Sequence, residues 1–327
     1  MKDRKLDDPS AWLISEALSQ LGVTANPADL VRKVERLQDG LPLEDEFSVL
    51  ITWLGRCKLV HKLDQLQSPK DSKKAFRVPD LLAVFQKDKK QIPVLIEVKS
   101  TVEDKLSWRP DYYEALKNYG HLLGLPVLLA WKHKPMGMWT LVDINEFHRP
   151  QQNFQLSLNW AFKQNLLSEL AGDFSYDFQK GVGLHFRMKK LAELTGKEPN
   201  VRTFKTTITE AYFTNSTGKH FSKLGPGMFW LFLGTESEDH VDETTDELFS
   251  HFEVDPEAAQ VAHRILPIVV SGLEGNSPVP WRQVLENRKF TTLGTDVLRE
   301  ATASIAEGIV GHILLQAPQR EPPFLEQ

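Results

Sequence analysis

The sequence predicts an α/β protein: an α/β domain over about residues 41–150, a helical extension before it (1–40) and an α+β region after it (151–327), helical beyond about residue 255. Three observations carry this. Helical and strand-like periodicities alternate from Leu43 to Ile144. The strand-like run around Ile96 and Val98 is apolar at consecutive positions, as strands covered on both faces are. The 327 residues, 41% hydrophobic and 25% charged without a low-complexity tract, have the composition of a folded chain with room for more than one modest core.

The elements follow in order. Pro9-Ser10 opens a helix over AWLISEALSQL, and Asn26-Pro27 opens another over ADLVRKVERL, which Gly40 stops. In LPLEDEFSVLITWLGRCKL, Leu43, Phe47, Leu50, Ile51 and Leu54 recur at helical spacing; Glu46 falls within the edges of that stripe and Asp45 points away from it. Leu59–Gln67 reads as a strand and SPKDSKK as a polar loop. Leu81–Phe85 and Pro93–Lys99 flank the tip KDKKQ and predict a hairpin. DYYEALKNYGHLLG has helix periodicity ending at Gly124, and VLLAWKH and MWTLVDI are two closing strands joined around Pro135-Met136-Gly137.

Beyond Pro150, FQLSLNWAFKQNLLSEL reads as helical, and FSYDFQKGVGLHFRM as a two-stranded ribbon about Lys180-Gly181. Strands are expected at Arg202–Phe213 and Met228–Leu233, and helices over PEAAQVAHRILPIVVSGL, WRQVLENRKF and DVLREATASIAEGIVGHILLQ.

Charge is unevenly spread under a formal net of −5. Lys58–Lys134 carries fifteen Lys/Arg against nine Asp/Glu, and Lys180–Lys223 nine against three. Glu236–Glu257 has ten acidic residues and no Lys or Arg, which reads as a solvated loop or helix face. Cys57 is the only cysteine, so no internal disulfide or Cys-based zinc cluster can form. With the longest apolar runs too short to span a bilayer, a cytoplasmic protein with no membrane partner is expected. The ten histidines show no HExxH spacing, and Ser271 sits in no GxSxG elbow.

The chemistry is in VPDLLAVFQKDKKQIPVLIEVKS. Asp80 starts one hairpin strand, while Glu97 and Lys99, two positions apart on the other, share one sheet face. Pairing about the tip brings Asp80, Glu97 and Lys99 to one end of the sheet. Two carboxylates there repel and are costly to desolvate unless a cation lies between them. A hard divalent cation, Mg²⁺ or Mn²⁺, suits carboxylate oxygens and retains waters that a phosphate can displace.

Pro79-Asp80 followed by Glu97-Val98-Lys99 resembles the PD-(D/E)xK nuclease superfamily, which includes restriction endonucleases and archaeal-type Holliday junction resolvases; the resemblance runs from about Leu41 to Phe147. It implies a restriction-endonuclease-like mixed sheet flanked by helices, and Mg²⁺-dependent endonucleolytic hydrolysis of nucleic acid, DNA before RNA, possible in a defence or restriction setting. Asp80, Glu97 and Lys99 would be catalytic, and Glu46, Asp80, Glu97 and the Val98 carbonyl would bind metal. Many members carry a QxxxY pattern on the next helix; here Tyr119 matches the Tyr, Ala115 stands where Gln would be, and Lys117 and Tyr113 are candidates to replace it. The rival reading is a nucleic-acid-binding or assembly protein that keeps the fold without cleavage.

Candidate nucleic-acid contacts are Lys73, Lys74, Arg77, Lys117 and Tyr119, together with Lys180, Arg187, Lys189 and Lys190, whose stretch interleaves Phe174, Tyr176, Phe178 and Phe186. The apolar stretches Ile265–Val270 and Ile309–Leu315 suggest a homodimer, since cutting both strands of a duplex in concert is simplest with two copies related by a two-fold axis.

Overall fold

A computed structural model describes residues 43–64, 67–194, 202–221, 225–233, 237–254, 259–274, 281–286 and 297–326. The helices expected in the first forty residues lie outside these. The architecture is mixed α/β. Helix α1 (residues 43–53) precedes strands β1 (Cys57–Lys62), β2 (Leu81–Lys87), β3 (Lys90–Thr101) and the short β4 (Lys105–Trp108). Helix α2 (Pro110–Leu123) crosses over to β5 (Val127–His133), and β6 (Met138–Asp143) closes a five-stranded sheet of order β1-β2-β3-β5-β6. All neighbours are antiparallel except β3 and β5, which run parallel across the α2 crossover. Pro110 opens α2 at its first position, and Gly124, at φ 65°, closes it in the left-handed conformation.

The sheet is covered on both faces, which explains its apolar strands. One face packs α2, β4 and β7 (Phe154–Ser157) around Leu95, Leu129, Trp131 and Phe147. The other joins a core that runs from Phe47 through Leu128 and Leu170 to Ile265 and Val310. Helix α1 lies within that core and is buried on nearly every side, so the residue expected to point outward, Asp45, is 4% exposed and ion-paired to Lys62 at 2.8 Å. Cys57 on β1 is chemically quiet: burial pushes its thiol up to about 12.

The C-terminal half corrects several expectations. The ribbon about Lys180-Gly181 does not form. Instead β8 (Ser175–Phe178) pairs with β14 (Gln260–Val261) and β15 (Val310–Leu314), while β9 (Gly183–Leu194) pairs with β10 (Thr203–Thr214), itself flanked by the short β11 (His220–Phe221), and with β13 (Glu247–Val254). Gly181, at φ 82°, turns the chain from one sheet to the other. The described part of the acidic block, residues 237–254, is a hairpin, β12 (Ser237–Glu243) with β13, laid beside the basic β9 rather than a loop or helix face. There Lys190 meets Glu243 at 2.6 Å, and Arg187 lies 3.7 Å from both Glu210 and Glu247.

Met228–Leu233 is helical (α4, Pro226–Leu233), not a strand; its run is apolar all round, a pattern in which periodicity does not separate a buried helix from a buried strand. Pro226 opens α4, and the Glu300 carboxylate accepts from the amides of Gly227 (2.7 Å) and Met228 (3.3 Å), capping it from another element. The stretch expected to be helical at 154–170 divides into β7, helix α3 (Leu158–Lys163) and a turn of π-helix at Leu167–Ala171, and Val310–Leu314 is a strand. Ile265, Leu266, Val270, Ile309 and Val310 are buried in the chain's own core, whereas Ile268, Leu314 and Leu315 are exposed. Among the described residues no helix is long and apolar enough to cross a membrane.

Candidate active site

The β2–β3 register builds the site. Leu81 lies opposite Ile96, so Asp80, one residue before β2, stands beside Glu97. The Val98 amide donates to Asp80 Oδ2 at 2.8 Å and fixes that carboxylate to the opposite strand. Lys99 follows on the same face as Glu97: its Nζ donates to Glu97 Oε1 and, at 3.0 Å, to the Val98 carbonyl, and lies 3.8 Å from Asp80 Oδ2. From the first turn of α2, the Tyr112 hydroxyl donates to the same Glu97 Oε1. Asp80, Glu97 and Lys99 are thus brought together as the sequence predicts.

Burial shifts the proton affinities of this cluster. Glu97 is 1% exposed, and its Oε2 is buried with no hydrogen-bond partner. Such an oxygen is expensive to leave unsatisfied. Burial first, and then the Glu97 charge, push Asp80 up to about 7; Lys99 and the Val98 amide pull it back, and Glu44 adds a smaller upward push. Lys99 is held above its ordinary range: burial favours the neutral amine, but Glu97, Tyr112 and Asp80 together outweigh it. It therefore enters the site as a cation that donates. Burial and Glu97 raise Tyr112 as well, keeping its hydroxyl protonated as a donor.

The donor set fits a divalent cation. The unsatisfied Glu97 Oε2 and an Asp80 carboxylate that resists ionisation both gain from a nearby positive charge. Among the described residues no three Asp, Glu, His or Cys side chains are gathered to hold an ion, so two carboxylates are what the side chains offer. Mg²⁺ is commonly held by one or two carboxylates, with water and substrate phosphate taking its other positions.

Glu46 is placed elsewhere. Its carboxylate accepts from Lys132 Nζ at 2.6 and 2.7 Å and from Trp139 Nε1 at 3.1 Å, a buried pair between α1 and strands β5 and β6. The α1 carboxylate whose charge reaches Asp80 is Glu44, which is half-buried and shares Lys62 with Asp45. On α2 neither expected substitute faces the pair. Tyr113 is buried with its ring 3.8 Å from that of Phe154, Lys117 lies 5.9 Å over the Tyr113 ring, and Tyr119 packs into the core on the α2 face of the sheet. Tyr112 is the residue sequence reasoning missed. Its signal was position: it is the first-turn residue one step round the helix from the buried face of Tyr113, Leu116 and Gly120. Lys73, Lys74 and Arg77 lie beside the site, and Arg187, Lys189 and Lys190 lie on β9 among acidic strands, with Lys180 exposed in the turn before it.

Two expected results follow from the geometry. Tyr112→Phe removes one donor from Glu97 and should weaken Mn²⁺ binding about 10–100-fold, the usual effect of losing an outer partner of a metal ligand; metal titration followed by calorimetry measures it. The second concerns pH. Because Asp80 titrates near 7 when folded and near 3.8 when unfolded, the folded chain binds more protons between those values, and stability falls as pH rises through that window. The contribution is at most about 1.4 kcal/mol per pH unit. Thermal melts in chelator should show wild type losing stability relative to Asp80→Asn between pH 5 and 8, and added Mn²⁺ should restore most at pH 8.

No protein-family model matches the sequence, and no curated protein matches it. Among solved structures the chain is similar to Hjc, a Holliday junction resolvase from the archaeal hyperthermophile Archaeoglobus fulgidus, with 21% identity and a TM-score of 0.30 over 37% of this chain and 89% of that one.

Proposed function

We propose that this chain is a divalent-metal-dependent nuclease that hydrolyses phosphodiester bonds of nucleic acid, DNA in preference to RNA. The observation that supports it is the Asp80–Glu97 pair, held together on the neighbouring inner strands β2 and β3 beside a charged Lys99 with one Glu97 oxygen buried and unsatisfied. Asp80 and Glu97, with the Val98 carbonyl, are the groups that would hold Mg²⁺ or Mn²⁺. Bound there, the ion would activate water and offset charge on the phosphate.

The chain's own part is positional. The Val98 amide sets Asp80, and Tyr112 and Lys99 set Glu97. Lys99, a cation beside both carboxylates, would orient the attacking water and offset charge on a phosphate oxygen. The test is incubation with supercoiled plasmid, linear duplex, single-stranded DNA and matched RNA, each with Mg²⁺, Mn²⁺ or chelator. Cleavage of DNA with metal and none with chelator is expected. No cleavage of any substrate, or cleavage that survives chelation, contradicts the reading.

A further inference from the structure

Beside the carboxylate pair lies a cleft of about 510 Å³ whose wall carries Lys73, Lys74, Arg77 and Arg109 along with Phe76 and Tyr112. Its size falls in the range of sites for one small ligand, roughly 300–1,000 Å³. Two of the cations have local partners: Arg109 meets Asp111 at 3.0 Å and Lys74 meets Asp71 at 3.5 Å, both on open surface where such pairs hold a cation only weakly. Among the described residues Lys73 and Arg77 make no ion pair. The Arg77 guanidinium lies 4.3 Å over the Tyr112 ring, and that tyrosine's hydroxyl is the donor to Glu97. Cleft and carboxylates therefore share a side chain.

We propose that this cleft seats one unstacked nucleotide of a single strand, adjoining the phosphate to be cut. The proposal rests on the nuclease reading and names its substrate class. The nucleotide's phosphate lies against Arg77 and Lys73, and its base against the outer face of the Arg77–Tyr112 stack. Planar cations and aromatic rings recognise base faces, which a single strand offers and a duplex hides within its stack. Seating the nucleotide immobilises Arg77 on Tyr112 and hence the donor that orients Glu97, so strand binding and carboxylate placement are coupled through one contact chain. Preferred substrates are then single strands, or duplexes with frayed or branched ends, over blunt duplex.

The experiment measures fluorescence anisotropy of a short labelled oligothymidylate and of a blunt duplex of equal length, in chelator, with the full chain. Arg77→Glu is expected to weaken oligothymidylate binding about 10-fold or more, with Arg77→Lys between it and wild type because charge stays while the planar stack is lost. Lys73→Glu, on exposed chain, gives a second reading independent of the stack. Lys58→Glu, a surface charge on β1, should change nothing. Equal binding by wild type and both charge-reversed variants overturns the proposal, as does wild-type binding of blunt duplex as tight as that of single strand. Arg77-dependent binding by a chain that cuts nothing in Mg²⁺ or Mn²⁺ upholds the cleft and removes the nuclease reading, so the two fail separately.

Discussion

Glu97→Gln and Asp80→Asn should each lower metal-dependent cleavage by more than the 10–100-fold that losing an outer partner of a ligand typically costs. Both keep side-chain size and remove the charge that faces the ion. Neither should unfold the chain. The amide at 80 relieves a carboxylate that burial and Glu97 already hold near 7, so Asp80→Asn should melt higher than wild type in chelator at pH 8. Lys99→Ala should lose activity too, by a different route. It leaves Asp80 and Glu97 without their shared cation, so its metal-free form should be less stable, while its Mn²⁺ affinity holds or rises because a competing positive charge has gone. Cleavage rates alongside melting curves separate these outcomes; undiminished cleavage by either amide variant would falsify the site.

The second large effect is on stability. Glu46 is 6% exposed and bonded to Lys132 and Trp139, so Lys132→Met strands a buried carboxylate and should cost about 3 kcal/mol, read as a lower midpoint in urea. Glu46→Gln keeps the size and leaves Lys132 to water it already partly reaches, so it should cost less. Folded Glu46→Gln should still bind Mn²⁺ normally. Glu44→Gln should show the reverse profile: little change in urea midpoint, since Glu44 shares an ion pair near the surface, and a few-fold weaker Mn²⁺ affinity because its charge no longer reaches the site.

These contrasts mark what the sequence could reveal. Asp80, Glu97 and Lys99 were legible because a hairpin with a tight tip pairs locally, and the period of two then places side chains without knowledge of the rest of the fold. Glu46 was not. Helical phase distinguishes a buried stripe from solvent, but α1 lies inside the core, with the Phe47 ring 4.9 Å from that of Trp139, so of three consecutive carboxylates two share Lys62 and the third is buried on Lys132, an outcome that phase alone does not rank. Tyr112 was hidden by its neighbour, since both tyrosines fit the helix and only the crossover from β3 decides which overhangs Glu97. In the C-terminal half, β8 and β9 each alternate like a hairpin strand, yet β9 takes the next strand, β10, on one side and the distant β13 on the other, and both partners of β8 lie far onward in the chain; the distant pairings leave no local trace.

The most direct measurement is calorimetric titration of Mn²⁺ into metal-free wild type and into Asp80→Asn, Glu97→Gln and Glu46→Gln at pH 8. Saturable binding by wild type and Glu46→Gln, lost in the other two, is the predicted result. Equal binding by wild type and the Asp80 and Glu97 variants, or no binding by wild type, would contradict a metal site built on that pair.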